Sequence, residues 1–83
     1  MEIKVLGAGC ARCKSLYEDV GKALAAAGLD ADVEYVRDIT EIIKYDVLLT
    51  PALVINGEVK ATGRLPAIPE MVTWFKAAAV IGD

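Results

Sequence analysis

Eighty-three residues, 55% hydrophobic and 25% charged, have the composition of one packed domain spanning residues 1–83 rather than of a disordered chain. The net charge of −3 gives no diffuse attraction to nucleic acid or anionic lipid, and no apolar run reaches the roughly 18 residues of a bilayer span. Neither a nucleic-acid nor a membrane partner is expected. "MEIKV" lacks a basic region followed by an apolar one, so the expected setting is the cytoplasm and the expected state a monomer.

Glu2 to Leu6 alternates in polarity, with Ile3 and Val5 on one face, and predicts a short strand. Gly7 to Gly9 supplies a tight turn. A helical stripe follows at spacings of three and four: Cys13, Leu16, Tyr17, Val20, Leu24 and Ala27, with Gly28 as the stop. Asp32 to Val36 is a second strand, built on Val33, Tyr35 and Val36. Asp38 is a suitable N-cap for a short helix running through Ile42 and Ile43 to about Tyr45. Val47 to Thr50 leads into Pro51, and "ALVINGEVKATG" gives two strands around Asn56-Gly57, a pair suited to positive φ. Pro69 opens a last helix to about Ile81, with Gly82 as its stop and Leu65, Ile68, Val72, Phe75 and Ala79 near one face. The order β-α-β-α-β-β-α defines an α/β fold. Its first βαβ unit gives two parallel strands with a right-handed crossover, and the hairpin completes a four-stranded mixed sheet flanked by helices.

The chemistry concentrates in "VLGAGCARCK", Val5 to Lys14, which admits several readings. A dinucleotide loop would place its first two glycines at Gly7 and Gly9, but its third small residue would fall on Arg12. A lipid-attachment site at Cys10 would have only the residues from Met1 to Gly9 before it, too few for an export signal. A structural zinc site needs about four ligands, and the chain has two cysteines and no histidine. A two-coordinate soft ion such as Cu(I) needs only the two thiolates, so a soft-metal carrier or sensor module is the alternative reading. A redox pair is the reading whose geometry the segment meets best. Residues three apart on a helix have Cα atoms about 5 Å apart, within the roughly 4.4–6.8 Å that a disulfide accepts. A bond closing so short a loop constrains the unfolded chain little, so the pair is not a structural staple.

The helix start also separates the two sulfurs. Cys10, at its first position, gains most from the free N–H groups, and Arg12 and Lys14 add positive charge nearby. Cys13 lies one turn in, on the apolar stripe. Cys10 is the expected nucleophile and Cys13 the resolving thiol.

A second anchor lies in "LLTPALVINGEV", Leu48 to Val59. Pro51 alone reads as a first-residue strand proline. A strand, CxxC at a helix start, a βα unit and Thr-Pro opening a hairpin together resemble the thioredoxin-like superfamily. The pattern is most similar to the small glutaredoxin-like or thioredoxin-like redox-active disulfide proteins of archaea and bacteria: GxGCxxC, then TPALVINGxV, then Gly63-Arg64. The resemblance covers nearly the whole chain. It implies a dithiol–disulfide oxidoreductase that uses its Cys10–Cys13 disulfide and no added cofactor. Protein disulfides would be the substrates and a flavin-dependent disulfide reductase the electron source. Thr50-Pro51 would be a cis peptide beside the thiols, with the Thr50 backbone offered to an extended substrate segment. Gly63 would keep the approach open, and Gly9, Ala11 and Arg12 would shape the loop around the pair.

The pattern also departs from its relatives. Gly9 stands where thioredoxins commonly carry an aromatic residue, Ala11-Arg12 fills the CxxC, and "TGRLP" replaces a Gly-Gly-Asp-like turn. No equivalent of a buried proton-handling carboxylate is evident on the first strand, which carries Glu2 and Lys4. Trp74 and Phe75 are expected to pack the last helix, Tyr17 and Tyr45 to pack the core or its rim, and Asp30, Asp32 and Glu34 to form a solvated face.

Overall fold

The computed structural model describes residues 1–81. Its elements run β1 (Glu2–Leu6), α1 (Ala11–Ala27), β2 (Asp32–Val36), α2 (Ile39–Ile43), β3 (Ala52–Ile55), β4 (Glu58–Thr62) and α3 (Ile68–Ile81). The predicted order holds throughout. The stop assigned to Gly82 lies outside the described residues.

The strands form one sheet in the order β2-β1-β3-β4. β1 pairs parallel with β2, Ile3 facing Val33 and Leu6 facing Val36. It pairs antiparallel with β3, Leu6 facing Ala52. The β3–β4 hairpin carries an irregularity after Leu53, where the register moves from Ala61 to Val59 and skips Lys60. Asn56 and Gly57 both take positive φ, 51° and 81°, as the turn sequence requires.

Successive strand side chains point to opposite faces, and the sheet sorts them accordingly. Ile3 and Val5 of β1 join Leu53 and Ile55 of β3, Leu16, Val20, Ala23 and Leu24 of α1, and Met71 and Phe75 of α3. On the other face, Leu6, Val36, Ala52 and Val54 meet Val47 and Ile42, the one buried residue of α2. α1 and α3 therefore cover one face, and the short α2 covers the other.

The caps follow ordinary helix chemistry. Asp38 accepts the Thr40 N–H at the start of α2, 2.9 Å. Gly28 ends α1 in the left-handed region at φ 70°, and the Leu29 N–H returns to the Leu24 carbonyl, 3.0 Å.

Four expected core positions change. Tyr17 lies at the edge of the α1 stripe, 40% exposed, and stacks on Tyr35 with ring centroids 5.3 Å apart. Ala23, fully buried, lines the core more deeply than the half-buried Ala27. In α3 the core-facing pair is Met71 and Phe75, four residues apart, with Ile68 and Val72 flanking and Ala79 exposed. Leu65 precedes the helix and stays partly exposed because no helical turn rotates it inward.

Candidate functional site

Cys10 is the N-cap of α1, with extended backbone (φ −75°, ψ 163°). Its Sγ accepts the Cys13 N–H at 3.1 Å, so one of the four N–H groups left free at a helix start is aimed at this sulfur. The two cysteines are joined as a disulfide, with Cα atoms 5.1 Å apart. Their environments differ sharply: Cys10 is exposed, whereas Cys13 is fully buried. The helix spacing places one cysteine at the surface and the other on the apolar side of α1.

Two backbone features make room for the pair. Gly7 follows β1 directly and donates its N–H to the Val36 carbonyl, 2.9 Å. A Cβ at Gly7 would collide with the Cys13 Sγ and come within 2.7 Å of its Cβ. Gly9 has φ +95°, and a Cβ there would lie 2.7 Å from the Arg37 Nη2. Arg37 follows β2, whose parallel register with β1 brings its end to the strand–helix turn. Its guanidinium also lies 5.8 Å from the Tyr35 ring centroid. Arg37 thus stands beside the residue that precedes Cys10.

Thr50-Pro51 is a cis peptide. Leu6 pairs with Ala52, so Pro51 lies alongside the turn that begins at Gly7. Pro51 is buried and Thr50 exposed. Gly63 binds both anchors into one surface. Its N–H donates to the Pro51 carbonyl at 2.8 Å, and its carbonyl accepts from the Arg12 Nη2 at 3.0 Å. Gly63 itself has φ +69°, and a Cβ there would meet the Leu49 side chain at 3.0 Å. Leu48 and Leu49, 96% and 63% exposed, form an apolar flank just before Pro51.

The structure thus gathers the expected residues. Gly9, Cys10, Ala11, Arg12 and Cys13 are contiguous at the start of α1, and Gly63 links Arg12 to Pro51. Arg12 donates along this link to a backbone carbonyl. The sequence reading missed Gly7, Arg37 and Leu49. Gly7 had been read only as turn material, and Arg37 and Leu49 reach the site through pairing and loop packing that no local pattern announces.

Two groups away from the disulfide, Lys4 and Glu70, have displaced pKa values. Lys4 is raised, mainly by its hydrogen bond to the Tyr45 hydroxyl, 3.1 Å. Glu70 is lowered, mainly by its two hydrogen bonds with Arg64 at 3.0 Å. Among the described residues no charged or polar residue is buried as a whole, although the Tyr35 hydroxyl is enclosed without a hydrogen-bond partner, and no group of three or more His, Cys, Asp or Glu is gathered as a metal site. Among them, too, no helix is long and apolar enough to cross a membrane.

A CxxC disulfide at a helix start, on this sheet and helix order, defines a thiol–disulfide oxidoreductase of thioredoxin-like build. A model of the thioredoxin domain matches residues 1–76, and the chain belongs to that family. It is 33% identical over 75 residues to a thioredoxin of Methanocaldococcus jannaschii, covering 90% of this chain and 86% of that one. A thioredoxin of Methanothermobacter thermautotrophicus is 31% identical over 71 residues, covering 86% and 92%.

Proposed function

We propose that residues 1–83 act as one unit that reduces protein disulfides through Cys10 and Cys13. The observation that carries this reading is the contrast between an exposed cysteine at a helix N-cap and a fully buried partner one turn on. The helix start favours the thiolate of Cys10. That thiolate attacks one sulfur of a target disulfide. The target S–S bond breaks, a mixed disulfide forms, and the released target sulfur takes up a proton. Cys13 then gives up its proton, and its sulfur attacks the Cys10 Sγ. The mixed bond breaks, and the second target thiol departs with a proton. Two electrons have passed from the protein to the target, and the Cys10–Cys13 disulfide remains.

A two-electron donor, of the flavin-dependent disulfide reductase class, restores the dithiol in the cytoplasm. The protein works as a monomer with no cofactor of its own. Thr50 offers its backbone to an extended segment of the target, and Pro51 shapes that strip. Gly63 keeps the approach free of a side chain. Gly9 and Ala11 keep the loop low around Cys10, and Arg12 fixes the loop at Gly63.

The test is reduction of insulin or a model disulfide, supplied separately with glutathione and with a thioredoxin-reductase-type enzyme, beside alkylation of each reduced cysteine as a function of pH. Turnover is expected with the flavoenzyme, with Cys10 alkylated faster than Cys13 and at lower pH. Cys13→Ser should trap targets as mixed disulfides on Cys10. No turnover, together with tight Cu(I) binding by the reduced pair, would assign a soft-metal carrier instead.

A further inference from the structure

Five of the nine basic residues pair with a carboxylate within 4.0 Å: Lys4, Lys22, Lys44, Lys60 and Arg64. Among the described residues, Arg12, Lys14, Arg37 and Lys76 have no such partner. Three of these four border the disulfide. Arg12 and Lys14 flank Cys13 in the first turn of α1, and Arg37 stands against Gly9. All three are exposed. Arg12 spends one N–H on the Gly63 carbonyl, which leaves its charge uncompensated. The nearest acids in the chain, Glu18 and Asp38, pair with none of the three, and the Asp38 carboxylate instead caps α2.

Negative charge gathers at the other end of the sheet, beside Met1. Glu2 and Asp32 face each other where β1 and β2 begin, and Asp30 shares a surface hollow with Asp32. Among the described residues these three acids have no ion pair. The strands thus run from an acidic end to a basic one. The three cations outnumber Glu18 and Asp38 at this end, so a chain of net charge −3 presents its reactive sulfur beside a local excess of positive charge. Such a field raises the encounter rate of an anionic partner, turns the molecule to meet it disulfide-first, and disfavours a cationic one.

We propose that this face selects disulfides flanked by carboxylates, so that the preferred target is an acidic protein segment. The proposal rests on the exchange reaction above and names its substrate class.

Three synthetic peptide disulfides test it, identical except for Asp, Gln or Lys on both sides of the cysteine. Each rate with the reduced protein is divided by that of dithiothreitol on the same peptide, which removes the peptide's own reactivity. At low ionic strength the Asp peptide should show a kcat/KM about tenfold above the Lys peptide, and the ratio should approach one at about 0.5 M salt. The double variant K14Q/R37Q should lower the low-salt ratio severalfold. Lys76→Gln should leave it unchanged, because Trp74, Ala77 and Ala78 of the same helix flank Asn56 at the acidic end. A low-salt ratio near one, with the Gln peptide still reduced, overturns the proposal and leaves the exchange reaction standing. A ratio that survives K14Q/R37Q intact also overturns it. Failure to reduce any of the three peptides overturns both readings.

Discussion

On one face of the sheet, Phe75 and Met71 of α3 and Leu16, Val20 and Leu24 of α1 close over Ile3, Val5, Leu53 and Ile55. On the other, α2 contributes Ile42 and leaves Ile39 and Ile43 exposed. The deep face spans two long helices and fixes the reactive pair, since Cys13 belongs to the α1 side. The shallow face leads through Val47 into Leu48, Leu49 and Thr50, all three exposed just before Pro51. The division has a physical consequence: local opening costs least where few apolar contacts hold a segment and most where many do.

Substitutions can break this comparison. Phe75→Ala removes the largest fully buried side chain of the deep face and should cost about 3–5 kcal/mol in urea unfolding. Ile42→Ala should cost about 2 kcal/mol, the low end for such a truncation, because a short helix can settle into the space. Equal losses would mean that the two faces carry equal weight. Gly7→Ala tests the boundary between them. The added methyl meets the Cys13 Cβ in both redox forms, and it meets the sulfur most firmly when the disulfide holds it, since the free thiol can swing aside. The oxidised protein should therefore lose about 1 kcal/mol more stability than the reduced one. Identical losses in the two forms would remove Gly7 from any part in the redox couple.

The smallest effects distinguish the faces by pH. Glu70 has a folded pKa below its unfolded value, so its contribution is present above about pH 4.3 and fades as the pH falls through the folded value. Lys4 is raised, so its contribution is complete below about pH 10.4 and fades as the pH rises through its folded value. Stability profiles should lose the acid-side part in Glu70→Gln, next to α3, and the alkaline-side part in Tyr45→Phe, next to α2. Profiles that overlay the parent at both extremes would show that these exposed pairs do nothing measurable.

Local chemistry made most of the frame legible. Asn56-Gly57, Asp38, Gly28 and the alternation of Ile3 and Val5 each state a backbone requirement within a few residues of themselves. The CxxC spacing belongs to the same kind, since one helical turn determines it. Distant pairing set the rest. Arg37 reaches Gly9 only because β2 runs parallel to β1, and nothing near Arg37 in the chain declares that. Gly7 read as a hinge until Cys13 was seen to occupy the space beside it. Met71 shares the face of Ile68 and Phe75, three residues after one and four before the other, and its depth depends on how α3 docks against α1. Arg12 had been placed as a charge near a sulfur, and its fork is tied to Gly63, fifty-one positions on.

The order β2-β1-β3-β4 leaves two rims open, and what lines them bears on how this chain behaves when crowded. β2 carries Asp32 and Glu34, both exposed, at alternate positions, and β4 carries Glu58 and Lys60 beside its irregular register. A second molecule adding its own β2 to this one would lay carboxylates against carboxylates. At β4 it would find a ladder out of step after Leu53. Unpaired strand backbone invites stacking into fibres, and here like charge guards one rim and a broken repeat the other.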